Sequence, residues 1–377
     1  MMCFRDYYCQ TNHIAIPAIL FRLMASGTKN VFTVIAKYLG VPANRVKDRN
    51  VLLVGEGDFS FSRSLATRYG FGRNMVATSY DTYEELVNKY TLPVVTEVTK
   101  ELKEHGVEVH HGVDATNLDA TLLPLSVKPV VEDAKMNNEH IDAHVNQKRL
   151  FDRIVFNFPH PGGKSNIKKS RQLLVDFFAS ARSNLRHDGD VLVTLAKGQG
   201  GSNFDTVKRK HGDTWQIVEA AALSNFILTD CFRWENMEGY NSSGYRSSNR
   251  NFHTRDGITH VFSRDDLGKV DLQPLVWKHD ISIWILDEGK FDEESMKSAV
   301  HSIACLDNID SIELLDATRV TPRDVSVNGS TKTLTHCYKI VYRNKSNKAL
   351  SKKACSNLQF KVRAELAEAM QGVIAVR

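Results

Sequence analysis

An α/β doubly wound Rossmann-like domain followed by an α+β ferredoxin-like domain is the fold class this sequence predicts, on three observations. A short apolar run, Val51–Val54, meets a glycine turn and then a loosely amphipathic stretch, Ser60–Tyr69. Strand and helix patterns alternate from there to Arg264. Beyond it the order becomes strand, helix, strand, strand, helix, strand. At 377 residues the chain can bury two such cores.

Composition narrows the class. With 42% hydrophobic and 25% charged residues the chain reads as a soluble globular protein. Its longest apolar candidate, Ile14–Leu23, contains a proline and is about half of what a bilayer span requires. Six cysteines (Cys3, Cys9, Cys231, Cys305, Cys337, Cys355) are scattered without a Cys-x-x-Cys pair. That spacing speaks against a zinc knuckle or disulfide framework and for a reducing compartment. Net charge is only +5, so the position of the charge carries the information. Residues 1–50 form an N-terminal extension in which, up to Lys47, Arg5, Arg22, Lys29, Lys37, Arg45 and Lys47 face a single acid, Asp6. It reads as a mitochondrial transit segment or as a variable extension with initiation at Met24.

The first domain, 51–264, opens with VLLVGEGDFSFS. Val51–Val54 suits a strand buried on both faces. Gly55 and Gly57 allow backbone to approach a ligand, and Ser60 stands where a dinucleotide fingerprint has its third glycine. Glu56 and Asp58 set two carboxylates on the loop with no lysine inside it. A pyrophosphate would be repelled there, and the phosphate-clamping Gly-x4-Gly-Lys-Ser/Thr pattern is absent. S-adenosylmethionine, cationic and free of phosphate, fits better. A second strand, Asn74–Tyr80, ends at Asp81, 24 residues after Gly57, where a βαβ unit places an acid on the ribose hydroxyls. Asp81 reads equally as N-cap of a Thr82–Tyr90 helix with Glu84 and Glu85 in its first turn. A third strand, Val107–Asp114, brings Asp114 to the adenine. His110 and His111, with no third ligand nearby, read as exposed strand residues, and no metal is expected.

Leu123–Arg149 is polar and reads as an inserted loop plus a helix. Phe151–Asn157 is the fourth strand, delivering Asn157-Phe158-Pro159-His160-Pro161-Gly162-Gly163-Lys164, a stiff loop at the carboxyl end of a strand. Lys164, Lys168, Lys169 and Arg171 follow and mark a phosphate-backbone contact. Then come a helix, Leu173–Leu185, ended by a turn at His187-Asp188-Gly189; a strand, Val191–Ala196; a helix, Trp215–Leu223; and a strand, Phe226–Trp234. A Tyr-, Ser- and Arg-rich stretch, Gly239–Arg255, precedes the last strand, Gly257–Ser263.

After a linker, 265–273, the second domain (274–377) shows strands Lys278–Leu286, Ser311–Val320, Thr331–Tyr342 and Val373–Arg377 and helices Asp292–Ala304 and Ser351–Met370. Asp271–Thr318 holds 3 basic and 11 acidic residues, net −8; Arg319–Arg377 holds 12 basic and 3 acidic, net +9. The basic half, with Tyr338, Lys339, Tyr342, Arg343 and Lys345 on and after one strand, is an RNA footprint.

Residues 51–264 resemble the Rossmann-like family of large-subunit ribosomal RNA uridine-N3 methyltransferases, through VLLVGEGDFSFS, VATSYDT, GVDATNL, FDRIVFNFPHPGGK and GYRSSNR. Residues 274–377 resemble the ferredoxin-fold anticodon-binding domain of the phenylalanyl-tRNA synthetase β chain, through HDISIWI, IELLDATRV, LTHCYKIVYRNKSNKALSK and VIAVR. The first resemblance implies transfer from S-adenosylmethionine to uridine N3. Gly55, Glu56, Gly57, Asp58, Ser60, Asp81 and Asp114 would hold the cofactor. Asn157, Pro159 and His160 would shape the target pocket, His160 orienting the imide or taking its proton. The loop departs from the Asn/Asp-Pro-Pro-aromatic loop of amine-directed methyltransferases, consistent with a different target atom. Ribosomal RNA and tRNA both stand as partners. The compartment is cytosol, nucleolus or, through the extension, mitochondrion. The alternative is a non-catalytic tRNA- or rRNA-binding protein retaining the fold. A NAD(P)-dependent dehydrogenase is disfavoured by the loop carboxylates and missing third glycine.

Overall fold

The computed structural model describes residues 49–70, 72–122, 148–163, 166–242, 252–320 and 333–377, all within one compact unit, Lys47–Arg377. The expectations for residues 1–48, for most of Leu123–Arg149, for Lys164 and for the GYRSSNR stretch lie outside the described residues.

Val51–Val54 (β1) is buried along its whole length, as its unbroken apolar run requires. It pairs in parallel with Met75–Thr78 (β2) on one side and Phe151–Asn157 (β4) on the other. Glu108–His110 (β3) extends the sheet beyond β2. Leu185–Leu195 (β5) extends it beyond β4. Ile258–Arg264 (β7) runs antiparallel to β5, and Phe226–Arg233 (β6) closes the edge. The seven strands stand in the order β3-β2-β1-β4-β5-β7-β6. Helices Ser60–Tyr69 (α1), Tyr83–Tyr90 (α2), Leu92–Glu104 (α3), Leu118–Thr121 (α4), Ile167–Asn184 (α5) and Ile217–Ala222 (α6) connect them. Leu174, Phe177, Phe178 and Ala181 of α5 are fully buried on the sheet. There Phe178 meets Phe226 and Phe262, and Phe177 meets Phe156. Each such aromatic contributes about 1.5–3 kcal/mol by leaving water.

Three elements differ from expectation. Helix α3 is additional; it follows α2 through Thr91, whose φ of 73° breaks the axis between them. Helix α5 begins at Ile167, so Lys168, Lys169 and Arg171 ride on its first turns rather than on a loop. The His187-Asp188-Gly189 turn lies inside β5. Phe151 pairs with Leu185 and Arg153 with Asp190, so the intervening residues loop out around Asp152 before the ladder resumes.

The second sheet orders Trp277–Ile285 (β8), Ile309–Val320 (β9), Thr333–Tyr342 (β10) and Ile374–Val376 (β11) as β11-β8-β10-β9, all antiparallel. Glu293–Ala304 (α7), capped by Asp292, and Lys352–Ala369 (α8), capped by Ser351, supply its core with Met296, Val300, Val362 and Leu366. The strand–helix–strand–strand–helix–strand order is as read from the sequence. Asp265 joins the two sheets, accepting from the Ala349 N–H at 3.1 Å, and Asn347 accepts from the Asp271 N–H at 3.1 Å.

A tight constraint lies where β1 meets β4. Gly55 has φ 66°, and a Cβ there would stand 2.5 Å from the Phe156 ring. Gly55→Ala is therefore expected to cost about 2–4 kcal/mol of stability, combining a left-handed non-glycine residue with overpacking. A wild-type midpoint in urea would refute the close packing.

Candidate functional site

Strand order reverses between β1 and β4, and at such a switch point the loops leaving the carboxyl ends diverge to open a crevice. The register Val54↔Phe156 sets the Gly55–Phe59 loop beside the Asn157–Gly163 loop.

The first loop is wired to the helix it introduces. Phe59, the N-cap of α1, lies in the left-handed region and has no side-chain oxygen to cap with. Glu56 and Asp58 do the capping instead. Glu56 Oε2 accepts from the Ser62 N–H at 3.1 Å, and Asp58 Oδ1 accepts from the Ser60 N–H at 3.0 Å. Glu56 is thus not on the lip, as its sequence position suggested, but only 8% exposed. Burial pushes its carboxyl up to about 7, against the hydrogen bonds from Ser62. Ser60 is engaged elsewhere: its hydroxyl donates to the Asn241 carbonyl and accepts from the Asn241 N–H, each at 3.0 Å. One turn on, Ser64 Oγ donates to the Glu238 carbonyl at 2.7 Å. These two serines hold the 238–241 segment over α1.

Asp81 stands beyond the carboxyl end of β2 with both oxygens 2.7 Å from Lys89 Nζ. It does not cap α2. Thr82 does, in a capping box with Glu85. Asp114, beyond β3, is turned inward: its Oδ1 accepts from the N–H and the hydroxyl of Thr116 at 2.8 and 2.7 Å. His110 and His111 are half-buried rather than exposed. His111 Nδ1 meets Ser79 Oγ at 2.9 Å, and its ring lies against Phe59 and Tyr83. Among the described residues no group of three His, Cys, Asp or Glu is placed to hold a metal ion. The donor set fits a cationic, phosphate-free nucleoside. The nearly buried Glu56 carboxyl precedes bare backbone at Gly57, where a Cβ would stand 3.1 Å from the Tyr90 hydroxyl. Gly57, Phe59, Leu86, Tyr90, Val95 and Val98 line a small, mostly apolar recess on the α2–α3 side of the loop.

The second loop is set by Phe158, whose φ of 50° turns the chain and whose N–H donates to the Thr194 carbonyl at 2.8 Å. Asn157 Oδ1 accepts from Thr194 Oγ1 at 2.7 Å, which orients its amide NH2 as the outward donor. Pro159 is buried and His160 exposed. His160 Nδ1 accepts from the Gly162 N–H at 3.0 Å, so the neutral ring carries its proton on Nε2. Sequence patterning missed the aromatic cluster beneath. Phe158 packs on Trp234 and Phe252 at 4.9 and 5.0 Å, and Trp234 on Tyr240 and Phe61 at 5.2 and 5.8 Å. Phe61 belongs to α1, so this cluster ties the two loops together. Trp234 and Phe252 sit in irregular chain, where no periodicity marks them.

The basic positions divide. Lys168 and Lys169 are exposed on the first turn of α5. Arg171 donates instead to the carbonyls of Thr214, Gly212 and His211. Tyr338 and Tyr342 are fully buried, the latter donating to Gln359 Oε1 at 2.6 Å, and neither can face RNA. Lys339 is on the outer face, flanked across the strands by Asp280 and Glu313, which offset its charge. Arg343 and Lys345 are exposed.

Sheet order, glycine loop and proline-bounded loop define a Rossmann-like protein of the methyltransferase type. A family model described as "BMT5-like: rRNA (uridine-N3-)-methyltransferase BTM5-like" matches residues 52–244, about half of the chain, and the chain belongs to that family. The mouse "Ferredoxin-fold anticodon-binding domain-containing protein 1 homolog" is 39% identical over 218 residues, covering 57% of this chain and 31% of that protein. The "25S rRNA (uridine(2634)-N(3))-methyltransferase" of Saccharomyces cerevisiae is 27% identical over 251 residues, covering 58% of this chain and 73% of that one. Among solved structures, TrmN from Thermus thermophilus aligns with a TM-score of 0.32 at 15% identity, covering 59% of this chain and 47% of that one. The chain spans about a third of the length of the mouse relative.

Two outcomes are expected. Because Glu56 is raised from 4.5 to about 7, the stability it contributes is present below pH 4.5 and lost as pH rises through 7. Glu56→Gln keeps an acceptor for Ser62 and never ionises. Relative to wild type it should gain up to about 3 kcal/mol between roughly pH 5 and 8 in urea titrations. Parallel pH profiles would refute the burial argument. Tyr342→Phe should lose about 1–2 kcal/mol of stability by stranding Gln359, with RNA affinity unchanged. A drop in affinity at unchanged stability would return Tyr342 to the RNA face.

Proposed function

We propose that this protein is an S-adenosylmethionine-dependent RNA methyltransferase acting on uridine N3 of ribosomal RNA. The observation that carries this is the parallel pairing of β1 and β4, which brings a cation-compatible glycine loop and a rigid amide-bearing loop to one crevice. Family membership supports the reaction class, and the yeast relative's name supports uridine N3.

The backbone of Gly55 and Gly57, with Glu56 and Asp58 beside it, would hold the methionine part. Asp81 would take the ribose, exchanging Lys89 for hydroxyls; a partly exposed ion pair of this kind is worth only about 0–1 kcal/mol. Asp114, on a loop fixed by Thr116, would border the adenine. When bound, S-adenosylmethionine would supply an electrophilic methyl group; its transfer to N3 would release a neutral thioether, and the imide proton would pass to solvent water. The outward amide of Asn157 donates to a base carbonyl, and the Nε2–H of His160 donates to a carbonyl flanking N3. Both disperse the charge that builds as the proton leaves. Pro159, buried beneath, keeps the two donors from drifting. A uridine paired in a helix has to leave its stack to reach this loop.

Residues 274–377 serve in this reading as a ferredoxin-like, anticodon-binding-type domain. The sheet order β11-β8-β10-β9 and the exposed Arg343 and Lys345 support it. It grips structured RNA, tRNA included, while the first domain, 51–264, acts. In this reading the protein works in the cytoplasm or nucleolus.

Calorimetry with S-adenosylmethionine and methylation assays on ribosomal RNA test the proposal together. Asn157→Ala should cut methylation by about a hundredfold, as loss of a transition-state donor does, with cofactor affinity unchanged. His160→Ala should cut it by about tenfold. No heat of binding at millimolar cofactor, or methylated RNA without 3-methyluridine on nucleoside mass spectrometry, would overturn it.

A further inference from the structure

Between β5 and α6 the chain runs through a long connection, residues 196–216, whose regular structure is a single short turn, His211–Asp213. Long connections of this kind in compact domains are functional or disordered. This one is densely anchored. The Trp215 N–H donates to the Gln199 carbonyl at 2.7 Å and the Ile217 N–H to the Gly200 carbonyl at 3.0 Å, closing the base of the loop. Inside it, Asp205 Oδ2 accepts from the Gly201 N–H at 2.7 Å. Ser202 Oγ meets the buried His260 Nε2 at 2.9 Å.

What this scaffold displays is cationic. Thr206–His211 is exposed throughout and contains Lys208, Arg209 and Lys210. Lys208 Nζ donates to the carbonyls of Ser202 and Asn203, and Arg209 to that of Lys197. Neutral carbonyls orient these side chains without cancelling their charge. Of the nearby acids, Asp205 is buried, Glu219 faces His211 at 3.7 Å and Asp256 pairs with Lys197; Asp213 is exposed.

Two contacts relate this loop to the target loop. Thr194, one residue short of the end of β5, pairs with Asn157, so the connection starts at the same edge as the Asn157–Gly163 loop. Arg171, one turn along α5 from Lys168, donates to the carbonyls of Thr214, Gly212 and His211 at 2.7, 2.8 and 3.3 Å. A guanidinium fork holds the carboxyl side of the basic loop against the helix that carries Lys168 and Lys169.

We propose that the 206–211 loop and the first turn of α5, locked together by Arg171, form one clamp for the phosphodiester backbone of the RNA substrate beside the target loop. This rests on the RNA methyltransferase reading and assigns where that RNA is gripped. Lys169 and Lys210 contact phosphate; Arg171 is a positioning residue.

The test uses the full chain and a fluorescein-labelled RNA hairpin with a uridine-rich loop, with affinity measured from roughly 50 to 200 mM salt. Lys169→Gln and Lys210→Gln should each weaken binding by about threefold to tenfold. The double variant should lower the salt slope by about two, since each phosphate contact contributes about one. S-adenosylmethionine affinity, read by calorimetry, should stay at the wild-type value. Arg171→Lys keeps the charge but loses the fork. It should lower the slope as well, and adding Lys210→Gln to it should cost little more. If wild type binds the hairpin and the double variant binds equally well with the same slope, the clamp is wrong while the methyltransferase reading stands. If wild type binds cofactor but no RNA, both fall. An Arg171→Lys variant with lowered thermal stability and an unchanged salt slope would overturn the positioning role.

Discussion

Everything at the site depends on how closely two backbones approach at the centre of the first sheet. Gly55 leaves β1 in a left-handed conformation with the Phe156 ring where a side chain would be. That contact sends one loop toward α1 and lets β4 run past it to deliver Asn157. A larger residue would push the strands apart and separate the two loops whose adjacency makes the crevice.

From that point two internal networks keep the crevice in shape. Backbone-directed carboxylates, Glu56 and Asp58, fix the start of α1. An aromatic cluster centred on Trp234 links α1 through Phe61 to the target loop through Phe158. The two loops are thus fastened to a common piece of packing, the fixed relation that the proposed in-line transfer requires.

Strands buried on both faces were legible in the sequence. Val51–Val54 and Phe151–Asn157 match to the residue, since apolar runs between turn signals leave few alternatives. The element order of the second domain was legible too. The orientation of Thr333–Tyr342 was available as well, and was misjudged. With period two, an outward Lys339 requires Tyr338, Ile340 and Tyr342 to point inward, where they are buried. Other features left no local signal. Helix α3 directly follows α2, so their apolar periods merge. Arg171 looks like any other member of a basic run, because its partners are carbonyls forty or more residues away. Lys208–Lys210 lies in an irregular connection whose anchors include a histidine on β7.

The capped first turn of α1 has one more consequence. A helix end with unpaired amides is the usual receptacle for a phosphate. Here the Ser60 and Ser62 amides are already taken by the chain's own acids, like a socket fitted with a built-in plug. Closing those two amides is a matter of short-range hydrogen bonds inside the chain rather than of long-range repulsion, which salt would screen.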